Sequence, residues 1–143
     1  MIALTAKAAK RWKMRYAALP AVDTGAWVVD LLKLDKGPLL VLIVHQDSLF
    51  TRIRPAAELK SLEQVAAEIG KVWPEQRSDV SEIYRNGNQR VTGSITDMKH
   101  LIRYYAERDE IALIEAMIND CPFSAIDMDF PRVRFEKLSA ATR

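Results

Sequence analysis

Two β-rich runs lie so close together in this chain that only one way of pairing is open to them. Trp27-Val28-Val29-Asp30-Leu31-Leu32 and Leu39-Leu40-Val41-Leu42-Ile43-Val44 flank Asp35-Lys36-Gly37-Pro38, a tetrapeptide with turn chemistry. A parallel crossover needs about a dozen residues or more, so the two runs form an antiparallel hairpin. The second run has no polar alternation. Both of its faces must therefore be covered, by helices or by a second subunit, which leaves a homodimer open. A reversal at Gln46-Asp47-Ser48 leads into a third strand, where Leu49, Thr51 and Ile53 alternate with Phe50, Arg52 and Arg54 until Pro55 stops it. The three strands make a meander.

Around the meander the period changes to that of helices. Met1 to Leu4 suits a short strand, and Thr5 then caps a helix with Ala9, Trp12 and Tyr16 on one face. Ser61 and Gln64 have capping-box spacing ahead of a stripe of Leu62, Val65, Ala66, Ile69, Val72 and Trp73, ended by Pro74. Ser81 to Arg85 reads as a return to the sheet, and Asn86-Gly87-Asn88 as a turn. Ser94 and Asp97 repeat the capping-box spacing and open a helix with Ile95, Met98, Leu101, Ile102 and Tyr105 inward. Another helix runs from Glu110 to Ile118, stopped by Asn119-Asp120-Cys121-Pro122. After Phe123 two readings stand: Val133 and Phe135 alternate like a strand, and Pro131 equally opens a helical turn. The expected fold is α+β, an antiparallel sheet built on the three-strand meander and covered by helices. With 143 residues and no linker-like segment, one domain spanning 1–143 is expected.

Composition narrows the function classes. A chain that is 49% hydrophobic and 28% charged can fold without a metal or disulfide staple, and its single cysteine, Cys121, has no internal partner. The longest apolar run, residues 39–44, is far short of the ~20 residues that cross a bilayer, and no secretory-signal pattern opens the sequence. A cytoplasmic protein without a membrane partner is the expectation. Twenty-one Lys and Arg against nineteen Asp and Glu leave a formal net charge of +2, too small to declare a nucleic-acid partner.

Four blocks carry a resemblance to a known family. They are Ala26-Trp27-Val28-Val29-Asp30-Leu31, the strands Val41-Leu42-Ile43-Val44 and Ser48-Leu49-Phe50, the segment Gln89-Arg90-Val91-Thr92-Gly93-Ser94-Ile95-Thr96-Asp97, and Asn119-Asp120-Cys121-Pro122-Phe123-Ser124. In kind and order they resemble an uncharacterised bacterial family, domain of unknown function 6933, over nearly the whole chain. Asp30 and Thr96 stand where that family's pattern has Asn. The resemblance implies a fold and a choice of surface, and brings no activity with it.

Among the residues with chemistry, Arg90, Gly93, Ser94 and Asp97 form the best local constellation. Backbone N–H groups at a helix start, a glycine, a hydroxyl and an arginine suit a phosphate or carboxylate. The plainer reading is that Ser94 and Asp97 cap the helix while Gly93 eases the turn before it. Asp30, an acid on an apolar strand, is read as the ion-pair partner of Arg90. Lys7, Lys10, Arg11 and Arg15 make the first helix basic and suit a nucleic-acid backbone or simply a solvated face, and Arg52 with Arg54 would extend such a patch. His45 and His100 have no ligand-spaced partner, so neither a metal nor any other cofactor is expected. The leading expectation is a small binding or regulatory module that contacts an unknown protein or anionic ligand near residues 88–97, without catalysis. The alternatives are an enzyme or toxin acting on nucleic-acid phosphates, with Arg90 stabilising charge and Asp30 or Asp97 moving a proton, and simple RNA or DNA binding.

Overall fold

The computed structural model describes residues 1–76 and 82–141. In chain order they form β1 (Ile2–Leu4), α1 (Ala6–Arg11), β2 (Ala21–Val22), β3 (Trp27–Lys33), β4 (Leu39–His45), β5 (Thr51–Pro55), α2 (Leu62–Val72), β6 (Ile83–Asn86), α3 (Gln89–Tyr105), α4 (Ile111–Asn119) and α5 (Pro131–Ala141). The hairpin pairs Trp27 with His45 through Lys33 with Leu39, and β5 adds antiparallel to β4, so the meander is present. The sheet as a whole is mixed rather than antiparallel. Its order is β2-β6-β1-β3-β4-β5, with β1 parallel to both β3 and β6, and β2 parallel to β6. The physical reason lies in β1. All three of its side chains are fully buried, so it must be central, and the segments joining it to β3 and β5 to β6 are long enough to cross over in parallel.

Alternation along the strands separates two cores. Ile2, Leu4, Trp27, Val29, Val41 and Ile43 meet α1, α2 and Phe135 of α5, whereas Ala3, Val28, Leu32, Leu40, Leu42 and Val44 meet α3 and α4. The apolar run 39–44 is thus covered on both faces by helices of its own chain.

Two local expectations are met. Thr5 caps α1, and Ser61 with Gln64 forms a reciprocal capping box on α2. Helix α1 is shorter than its stripe suggests. Met14 N–H reaches Ala9 O and Lys13 N–H reaches Lys10 O, a Schellman ending with Lys13 at φ 58°, so Tyr16 falls in a separate 3₁₀ turn. The return strand covers Ile83–Asn86, while Ser81 lies outside the described residues. After Phe123 the helical reading holds: Pro131 opens α5, which buries Phe135.

The outer edge of β5 is closed by side chains of α4. The Asn119 amide accepts from Thr51 N and donates to Thr51 O, both at 2.9 Å, and Glu115 accepts from Ile53 N at 2.7 Å. An amide on a helix here does the work of a neighbouring strand. Arg52 and Arg54 do share a face, but they extend no basic patch. Arg52 pairs with Glu68 at 3.1 Å and with Glu115 at 3.4 Å, and Arg54 pairs with the same two acids at 2.9 Å each.

Candidate functional site

Helix α3 begins earlier than the Ser94 spacing implies. Asn88 is its cap, with Oδ1 accepting from Val91 N at 3.1 Å, so the turn residue Asn88 is also the helix start. Ser94 and Asp97 are therefore interior helical residues and cap nothing, and Gly93 adopts ordinary helical backbone. The local signal was ambiguous because Asn88 suits a turn and a cap equally well.

Moving the start leaves Arg90, Gly93, Ser94 and Asp97 at helical spacing on one face, and the structure does bring these four together. With Thr96, Ser124 and Ala125 they line an open depression of about 520 Å³. Ser94 is buried at its base; Arg90, Gly93 and Asp97 are exposed. Among the described residues neither Arg90 nor Asp97 makes a side-chain hydrogen bond or ion pair. Among the described residues, a Cβ built on Gly93 would meet nothing within 4 Å.

Asp30 is elsewhere. It is not the partner of Arg90: its Oδ2 meets Lys99 Nζ at 2.6 Å, while Oδ1 accepts from the Thr5 hydroxyl at 2.6 Å and from Leu31 N at 2.8 Å. Arg90 sits about 2.5 helical turns before Lys99, out of reach of the middle of β3. Lys99 has no motif around it, and the sole hint in the sequence was that a buried acid on β3 needs some cation on the helix that covers it. Asp30 and Lys99 line a second cavity of about 250 Å³, with Thr5, Ala6, Lys7, Asn86, Thr92, Ile95 and Thr96. Thr96 borders both hollows, so α3 is the wall between them.

The basic first helix is only partly free. Arg11 donates to Ala56 O at 3.1 Å, and the Trp12 indole N–H donates to Lys60 O at 3.1 Å, so both tie α1 to the segment before α2. Trp12 and Tyr16 are half-buried, packed against the core. Lys7, Lys10 and Arg15 are exposed, and Lys7 lines the smaller cavity.

His45 is 1% exposed within a cage of Trp27, Trp73 and Phe135, with ring centroids 4.8, 5.5 and 5.9 Å away. Its Nδ1 meets the Ser48 hydroxyl at 2.9 Å, and burial pushes its pKa down to about 4. Among the described residues no cluster of three or more His, Cys, Asp or Glu could hold a metal ion, and no helix is long and apolar enough to cross a membrane. No family model, curated protein or solved structure matches this chain.

Proposed function

We propose that this protein is a small binding module without catalysis, whose partner-contacting surface is the Arg90, Gly93 and Asp97 flank of α3. The observation that carries the reading is Gly93. A glycine inside an exposed helix costs roughly 0.5–1 kcal/mol relative to alanine, and here no packing requires it. Its missing side chain leaves a low floor between Arg90 and Asp97 on which the main chain of another protein can lie. Those two exposed side chains offer a donor fork and an acceptor on either side. Opposite charges within the hollow favour a polar protein segment over a free anion.

The likeness to the domain of unknown function 6933 family belongs to this proposal. Three of its blocks have jobs inside the fold: Asp30 holds Thr5 and Lys99, Ser48 meets His45, and Asn119 closes the β5 edge. Arg90, Gly93 and Asp97 of the remaining block have none, which supports work at the surface.

The test is affinity purification of the parent chain, Gly93→Ala and Arg90→Ala, with Glu63→Ala on exposed α2 surface as control, alongside melting curves. The expected result is that Gly93→Ala melts higher yet loses a partner that the parent and the control retain, and that Arg90→Ala loses it at unchanged melting temperature. A set of bound proteins that is the same for all four chains would overturn the reading.

A further inference from the structure

Strands β1 and β6 are parallel neighbours, yet the chain leaves their carboxyl ends towards opposite faces of the sheet. After β1 it enters α1, on the Trp27 side; after β6 it enters α3, on the Leu42 side. Adjacent parallel strands whose connections diverge open a crevice at their carboxyl ends, and in open α/β sheets such crevices bind ligands. The 250 Å³ cavity is in this place, bounded by Thr5, Ala6 and Lys7 from one connection and by Asn86 and Thr92 from the other.

Its hydrogen bonding shows what kind of ligand fits. The Thr5 hydroxyl donates to Asp30, that of Thr92 to Asn88 O at 3.2 Å, and that of Thr96 to Thr92 O at 3.1 Å. The Asn86 amide is fully used: its nitrogen donates to Asn88 O and Thr92 Oγ1, and its oxygen accepts from Gln46 Nε2 and Asn88 N. Asp30 already takes three donors. An ammonium has three N–H donors, and Lys99 directs one at Asp30. Lys7 is exposed and, among the described residues, makes no side-chain bond. The strongest groups left over on this wall are therefore cationic donors.

We infer that the crevice binds the phosphoryl group of a small phosphate ester between Lys7 and Lys99. A lysine ammonium is a compact point charge that suits a phosphate, whereas a planar carboxylate is matched best by the fork of an arginine, and this wall has no arginine. The volume lies below the ~300–1,000 Å³ of sites for drug-sized ligands, which selects a small ester over a dinucleotide or a polymer. This site is separate from the Gly93 flank, which faces the other side of α3.

The experiment is titration of the full chain at low ionic strength with inorganic phosphate and with ribose 5-phosphate, using succinate as the carboxylate control. Saturable binding of both phosphates, with succinate weaker, is expected. Lys99 also holds α3 to the sheet through Asp30, so the informative variants are Lys7→Gln and Ala6→Glu. Both positions are exposed, and an acid in the first turn of a helix is tolerated by the fold. Each should weaken phosphate binding roughly tenfold or more at unchanged melting temperature. No phosphate binding by the parent, binding by the two variants as tight as that of the parent, or succinate binding as tightly as phosphate would each overturn the assignment. Gly93→Ala should bind phosphate like the parent, so this result and that of the docking test fail independently.

Discussion

Acidification should destabilise this protein through His45, and the size of the effect follows from its surroundings. The ring is enclosed by Trp27, Trp73 and Phe135, and among the described residues Nε2 has no hydrogen-bond partner. Ser48 Oγ accepts from Phe50 N at 3.1 Å and also meets His45 Nδ1 at 2.9 Å, so that one ring nitrogen is served and Nε2 lies against the aromatic rings. A second proton would put an unpaired charge in this cage. Burial is the main cause of the lowered pKa; Asp47 opposes it, and the amino terminus of Met1 adds to it. The unfolded chain takes up the proton near pH 6.5, the folded one only near pH 4. The stabilisation is therefore complete above the unfolded value and is lost progressively as the pH falls from 6.5 to about 4. A depression of this size corresponds to about 3 kcal/mol, since one pKa unit is ~1.4 kcal/mol. The assay is urea denaturation of the parent and of His45→Gln at steps from about pH 7 to about pH 4. The variant should start out less stable and lose less, so that the gap closes by about 3 kcal/mol. Other acid-sensitive groups, such as Glu68, whose carboxyl Lys71, Arg52 and Arg54 hold below its usual range against the opposing effect of burial, fall equally in both chains and cancel. Two curves that descend in parallel would refute the reasoning.

Other perturbations separate folding from binding. Asn119→Ala strips Thr51 N and O of their partners in a buried place, so urea titration should show a loss of about 2 kcal/mol or more, with aggregation as the β5 edge opens. Asp30→Ala leaves the Lys99 charge largely buried without its partner and should cost about 3–5 kcal/mol, whereas Arg90→Ala should leave the melting temperature unchanged; similar costs for the two would contradict the assigned ion pair. Ser61→Ala removes the α2 capping box and should cost about 1 kcal/mol, with Ser61→Asp recovering most of it in the same melting assay.

The division between what was legible in the sequence and what was not follows the range of the forces involved. The hairpin between β3 and β4, the meander, the Thr5 cap and the Ser61–Gln64 box could all be read directly, because each is decided by residues a few positions apart. The four residues grouped on α3 were also legible as a group, since helical spacing keeps 90, 93, 94 and 97 on one face whatever caps the helix. The capping role expected of Ser94 and Asp97 falls instead to Asn88, which serves as both turn and cap. The sequence alone could not place β1, whose three residues are too few to show a period. It also could not show that Lys99, not Arg90, meets Asp30, or that Asn119 stands in for a strand beside Thr51. These pairings join distant segments, and they are selected by which crossover buries β1 and by which side chains then satisfy the polar groups left inside. Only the tertiary structure decides that, because the cost of an unpaired buried group exists only once the layers have closed around it.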